Sequence, residues 1–138
     1  MTVNNKIANI YSLQYIYLSS CEINNIPGSE KISVKGEWKP IKFASIEYTE
    51  KQDEQGGEWE QNFSAVITEF NTIIEKELYS IKNNAILLRL DYSNHISKIV
   101  GTDEYPVILS LSNASSSHTY TLSFKRNSPE AAKFLQSF

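Results

Sequence analysis

The chain has few of the residues that build disulfide frameworks, nucleic-acid surfaces or membrane spans. Among its 138 residues there is one cysteine, Cys21, which cannot form an internal disulfide and fits a reducing compartment. Its 13 basic residues stand against 16 acidic ones and form no basic stripe. No apolar run approaches the ~20 residues that cross a bilayer, and the N-terminus lacks the pattern of a secretion signal. We therefore expect neither a membrane nor sequence-specific nucleic acid among its partners.

Motifs for metal, cofactor and covalent chemistry are equally scarce. The two histidines, His95 and His118, fall in predicted turns and lack the paired ligands of a zinc site. The five glycines form no phosphate-binding array, and no Gly-x-Ser-x-Gly elbow occurs. Asp103 and Glu104 would serve as acid and base only if one were desolvated, and their position before a Tyr-Pro step is typical of an exposed turn. We therefore predict no catalytic, metal-binding or cofactor-binding residue, and a protein that is not an enzyme.

Tyrosine and alternating apolar residues are what the sequence does contain. Eight tyrosines and six phenylalanines favour strands and protein–protein contacts, because an aromatic ring offers a large packing surface. In residues 10–18, Tyr15 and Tyr17 alternate with Ile16 and Leu18, which predicts a strand with apolar residues on both faces. Similar alternation predicts a hairpin over residues 85–100 and a last strand pair over residues 105–126.

A long hairpin is predicted between residues 41 and 70. Ile46 and Tyr48 share a face in its first strand, and Phe63 and Ala65 share a face in its second. The joining segment KQDEQGG is polar and ends in two glycines, which indicates a solvated tip. Its acidic residues lack the spacing of a calcium-binding loop.

Two helices are predicted. In residues 72–82, Thr72 and Glu75 match a capping box, and Ile74, Leu78 and Ile81 form one apolar stripe for packing on a sheet. Near the C-terminus, the sequence NSPEAAKFLQSF predicts a short helix with Ser128 as its N-cap. Strand runs interrupted by one good helix predict a single α+β domain, residues 1–138: a mainly antiparallel β sandwich or partly closed barrel with one packed helix and a short C-terminal helix.

The stretch KIVGTDEYPVILSLS predicts a structured corner between two strands. Gly101 permits a positive φ, and Pro106 lacks an amide donor and forces the residue before it to be extended. This stretch, with Thr102, Glu104 and the later Phe124, resembles a Gly-Thr/Ser-x-Glu-x-Pro corner in small structural proteins from phages and prophages of Bacteroides-like gut bacteria. The resemblance implies a virion protein of the tail or neck, assembled in the host cytoplasm.

The leading functional hypothesis is therefore a non-enzymatic virion subunit, tail-tube-like or tail-completion-like, that assembles with itself as a ring or tube and with other virion proteins. The runs YSLQYIYLSS and YPVILSLS carry no charge and are candidates for sheet edges that a neighbour completes. The residues predicted to contact neighbouring subunits are Tyr15, Tyr17, Gln52, Asp53, Glu54, Trp59 and Tyr105. The alternative is a soluble small-ligand or carbohydrate-binding β module that uses Trp38, Trp59 and tyrosines to stack on sugar faces.

Overall fold

The computed structural model describes residues 9–69, 71–82, 84–114 and 119–135, which contain eleven strands and one α-helix. Sheet A has seven strands, in the spatial order β2 (Glu22–Asn25), β3 (Lys31–Lys35), β11 (Lys133–Leu135), β8 (Ser97–Val100), β7 (Ile86–Tyr92), β1 (Ile10–Tyr17) and β4 (Lys39–Ile41). Sheet B has four strands, in the order β5 (Ser45–Gln52), β6 (Trp59–Ile67), β10 (Thr119–Ser128) and β9 (Ser110–Ala114). The helix α1 (Thr72–Ile81) connects β6 to β7, and a single 3-10 turn, Leu18–Ser20, follows β1.

Strand pairing confirms the predicted α+β class. Each described pair of neighbouring strands is antiparallel except β3 and β11, which are parallel. Both predicted hairpins are present, with Tyr48 opposite Phe63 in the first and Leu88 opposite Val100 in the second.

Two apolar cores lie on opposite faces of sheet A. The larger core fills the space between the sheets, where Leu13 and Tyr15 of β1 join Leu122 of β10. The smaller core includes Ile16 of β1 and Ile32 of β3, which are four strands apart in sheet A. Sheet A curls, because Ile16 lies so close to Gly36, the residue directly after β3, that a Cβ at Gly36 would clash with the Ile16 Cδ1 methyl. The prediction that β1 is apolar on both faces is confirmed, and burial of each such side chain contributes about 1.5–3 kcal/mol.

The helix packs as its stripe predicts, but it begins with a different cap. Leu78 and Ile81 are buried in the larger core. Asn71, which is extended at φ −155°, accepts a hydrogen bond through its side-chain oxygen from the amide of Ile74 at 2.9 Å. Thr72 is thus the first helical residue, and the prediction that Thr72 is the cap is wrong by one position. Both residue types cap helices well, and the extended backbone at Asn71 decides between them.

The predicted C-terminal helix is also wrong in the described residues. Strand β10 continues to Ser128, and residues 133–135 form β11 between β3 and β8. The amide of Phe134 donates to the carbonyl of Glu30 at 2.9 Å, so this segment completes sheet A. Leu135 packs against the smaller core, whereas Phe134 is 38% exposed. Sheet pairing offers the backbone long-range partners that outweigh the local helix signal.

Candidate functional site

The inward face of sheet B changes from apolar to polar along the strands. One cross-strand row is aromatic: Tyr48, Phe63 and Phe124. The next inward row, two residues closer to the β5–β6 turn, is polar: Glu50, Gln61 and Arg126. We call the end of the sandwich at the β5–β6 turn the hairpin end, and the opposite end, where α1 packs, the helix end. The nine residues of β6 separate these ends by about 30 Å.

The polar row is a connected hydrogen-bond network. Arg126 Nε donates to Gln61 Oε1 at 2.9 Å, and Gln61 Nε2 donates to Glu50 Oε2 at 3.4 Å. The same Glu50 oxygen accepts from the Tyr48 hydroxyl at 2.8 Å and from the Ala132 amide at 3.0 Å. Burial, reinforced by the nearby Glu50 carboxylate, raises the pKa of Tyr48, so Tyr48 is a neutral donor. Burial lowers the pKa of Arg126, although a guanidinium remains charged at neutral pH.

The Gly101–Pro106 corner is attached to this network. Arg126 Nη1 donates to the carbonyl of Tyr105 at 3.0 Å and to that of Pro106 at 2.7 Å. The Thr102 amide donates to the Tyr105 carbonyl at 3.1 Å, and the Thr102 hydroxyl accepts from the Tyr105 amide at 3.1 Å. Gly101 adopts a positive φ, +103°, which glycine permits, and a Cβ there would lie 3.0 Å from a Leu87 methyl. The corner's hydrogen bonds and its glycine have a structural role, with Asp103 and Glu104 exposed to solvent.

Residues 128–133 form a second polar connection between the sheets. Lys133 is 3% exposed, and its ammonium pairs with Glu130 Oε2 at 2.8 Å and donates to Asn25 Oδ1 and to the Ile26 carbonyl. The Gly28 amide donates to the other oxygen of Glu130. Burial alone would raise the pKa of Glu130, but the bonds from Lys133 and Gly28 outweigh it and lower that pKa. The buried lysine is therefore fully compensated.

A cleft of about 540 Å³ opens beside these groups at the hairpin end. Its side-chain lining includes Glu30, Glu50, Trp59, Lys98, Glu130 and Phe134. Lys98 Nζ lies 5.4 Å from the Phe134 ring centroid and 5.9 Å from that of Tyr92. The volume falls in the range of small-ligand sites, about 300–1,000 Å³. The arrangement combines an indole, carboxylate acceptors and an ammonium donor in one concave surface.

In the part of the chain that the structure describes, β9 is an edge strand of sheet B. Among the described strands it pairs only with β10, and its residues Ser110–Ala114 carry no charge. The edge predicted from YPVILSLS is therefore present, although the strand begins at Ser110 and Val107 instead forms an isolated bridge with Ile86. The other candidate edge, YSLQYIYLSS, is not an edge strand of sheet A, because β4 pairs with residues 13–15 of β1 on the side away from β7.

The seven predicted contact residues do not form one surface. Tyr15 is 1% exposed and donates its hydroxyl hydrogen bond to Glu77 at 3.0 Å, so it is a core residue and not a surface contact. Tyr17 is half-buried at the helix end, with its hydroxyl 2.8 Å from Ser80 Oγ. The two tyrosines thus help to hold α1 on the sheet.

The other predicted contacts lie at the hairpin end. Gln52 Nε2 donates to the Gly57 carbonyl at 2.8 Å, and the Gly57 amide donates to the Glu54 carbonyl at 2.9 Å, which closes the turn on itself. Asp53 is exposed, and its Oδ1 lies 3.8 Å from Lys51 Nζ, in an ion pair that solvent screens. Trp59 lines the cleft, and Tyr105 is 48% exposed beside the corner.

Sequence reasoning missed Glu50, Gln61 and Arg126 because it followed alternation only while the residues were apolar. A step of two residues along each strand toward the hairpin end leads from the aromatic row to these three polar residues. No alternation pointed to Lys133, because its segment has a helix-like pattern and was predicted to be helical.

The comparisons with known proteins return no relative: no family model, curated protein or solved structure matches the chain. In the described ranges no group of three or more His, Cys, Asp or Glu side chains is arranged to hold a metal ion. The ten-residue α1, the one α-helix of those ranges, is too short to cross a membrane.

Proposed function

We propose that this protein is a non-enzymatic structural subunit that assembles with copies of itself through the free edge of β9, and that it belongs to a phage tail or neck. The observation that carries the proposal is the contrast between the two edges of sheet B. The β9 edge is uncharged, whereas β5 carries Glu47, Glu50 and Lys51. Charges on an edge strand discourage that edge from pairing with a second copy of itself, whereas the uncharged β9 edge presents no like charge to an incoming strand.

The strand directions in sheet B suit head-to-tail assembly. Its four strands alternate in direction, so β5 and β9 run in opposite directions. A second copy that adds its β5 to β9 therefore continues an antiparallel sheet. Contacts of this head-to-tail kind close into rings or extend into tubes.

Exposed apolar residues next to β9 support a contact there. Ile108 is 64% exposed and Tyr105 is 48% exposed, both within the segment that leads into the strand. Together with the resemblance of the Gly101–Pro106 corner to phage structural proteins, these features favour a virion subunit.

Two lysines on the edge test the assembly. We expect S110K/S112K to remain folded but to lose higher-order assembly in light scattering, because lysines on an edge strand oppose the addition of another strand. The matched control is S123K on the central strand β10, whose side chain lies on the same outer face but away from the edge. Equal assembly of both variants contradicts the proposal.

The biological setting has its own test, which is mass spectrometry of purified phage particles from the source genome. We expect the chain among the virion proteins. Its absence from particles removes the virion assignment and favours the alternative, a soluble carbohydrate-binding or small-ligand-binding module. One observation supports that alternative, namely the cleft beside Trp59.

A further inference from the structure

We infer that the cleft at the hairpin end binds a neutral saccharide against Trp59. The inference goes beyond the assembly proposed for β9 and does not depend on it, because the cleft lies between β5, β6, β8 and residues 28–30 and 129–134.

The position of Trp59 suits ligand binding better than core packing. It is half-buried and belongs to neither apolar core of the described residues. Its cross-strand partners are Gln52 and Ser128, beyond the polar row, so packing of the core does not explain an indole at this position. An indole face in a cleft offers a flat apolar surface on which the C–H face of a sugar ring can stack.

Glu50 supplies a preorganised acceptor beside that surface. Its Oε2 is held by Tyr48, Gln61 and Ala132, while Oε1 accepts no hydrogen bond from the described residues. Every buried side-chain polar atom of the described residues has a partner, so Oε1 is open to solvent. A carboxylate fixed through one oxygen and open at the other can accept a sugar hydroxyl without first losing conformational freedom.

Lys98 supplies a donor, and the net charge of the cleft lining disfavours anionic ligands. Glu130 and Lys133 neutralise each other at 2.8 Å. The charged groups that remain in the lining are Glu30, Glu50 and Lys98. Two carboxylates against one ammonium disfavour a phosphate or a nucleotide, whereas the hydroxyls of a neutral saccharide can use both donors and acceptors.

The fluorescence of Trp59 tests the inference directly. The chain has two tryptophans, and Trp38 packs against the smaller core, so W38F leaves Trp59 as the single reporter. In this background the probes are neutral hexasaccharides of glucose, mannose, galactose and N-acetylglucosamine, with inorganic phosphate and a tetralysine peptide as separate arms. We expect at least one hexasaccharide to change the emission saturably at or below millimolar concentration, and neither charged probe to do so.

Two further variants assign the site to its residues. E50Q keeps the size of the side chain, but its amide oxygen must face Tyr48 and Ala132, which turns the open position from an acceptor into a donor. We expect E50Q and K98M each to weaken saccharide binding by about tenfold or more. The matched controls are E60Q on β6 and K125M on β10. Each residue is adjacent in sequence to an inward-facing residue, so its side chain lies on the opposite face of sheet B.

Failure has four forms. No response to any hexasaccharide by folded W38F protein overturns the inference, as does binding that E50Q and E60Q affect equally. Saturable binding of phosphate in place of the saccharides also overturns it, because the charge argument would then be wrong. Saturable binding of tetralysine in their place overturns it as well, because the acidic lining would then serve a cationic ligand. None of these results affects assembly, which light scattering of the same samples measures separately.

Discussion

The two ends of the sandwich are built from the same strands but have different chemistry. At the helix end, the inward residues of sheet B are apolar and pack with Leu78 and Ile81 of α1. At the hairpin end, inward positions of the same strands carry Glu50, Gln61 and Arg126. A strict two-residue alternation therefore specifies which face a residue occupies, while its position along the strand decides whether that face is apolar or polar. The comparison leads to five predictions, in decreasing order of effect.

Truncation at the helix end is expected to have the largest effect. Leu78 is 1% exposed in the larger core, so L78A leaves a cavity and should lower the free energy of unfolding by about 2–5 kcal/mol. Urea unfolding measures the change. The control is I73A on the same helix, where the side chain is 80% exposed and little should change. Similar losses in both variants contradict the packing described for α1.

At the corner of the hairpin end, G101V should cost about 2–4 kcal/mol, because a β-branched residue is strained at φ +103° and its side chain meets Leu87 and Val107. The double variant D103A/E104A, whose side chains are exposed, should melt close to wild type. Thermal melting of the two proteins compares them. A mild effect of G101V would show that the corner tolerates another backbone conformation.

The polar row should contribute less than the core does. R126M removes donors to Gln61 and to two corner carbonyls, and we expect a loss of about 1–3 kcal/mol in urea unfolding. The control K125M changes the neighbouring exposed lysine on the other face. A neutral R126M would contradict the role of Arg126 in joining the corner to sheet B.

The start of α1 offers a smaller and more local test. N71A removes the side-chain oxygen that accepts from the Ile74 amide and should cost about 1 kcal/mol. T72A, one residue later, should cost clearly less, since Thr72 is inside the helix. Measured by chemical unfolding, the reverse order would restore Thr72 as the cap.

Acid sensitivity should be the smallest effect, and it has a definite sign. Burial alone would raise the pKa of Glu130 and that of Asp91 in β7, but hydrogen bonds to each carboxylate outweigh burial and lower both pKa values. A lowered folded-state pKa stabilises the fold above the unfolded carboxyl pKa of about 4, and this stability is lost as the pH falls through the folded value. We expect Tm to fall over that range, and less steeply in E130Q than in the exposed control E58Q. A Tm that rises as the pH falls there would contradict the assignment.

The sequence by itself determined most of the secondary structure of this protein. Apolar alternation identified β1, both hairpins and the last strand pair, and the stripe of Leu78 and Ile81 identified α1. Gly101 indicated that a positive φ was possible at the corner, because glycine adopts that conformation without strain. Such signals are local, since they depend on residues within a few positions of each other.

Only the tertiary structure decided which segments become neighbours. Residues 133–135 carry a helix-like pattern, yet they pair between β3 and β8, about a hundred residues away from β3 in the chain. The same long-range pairing places β4 beside β1, leaves β9 with one neighbour among the described strands, and places Trp59 and Lys98 in the same cleft. Strand order and register depend on the sum of many weak contacts between distant segments, so no short stretch of sequence determines them.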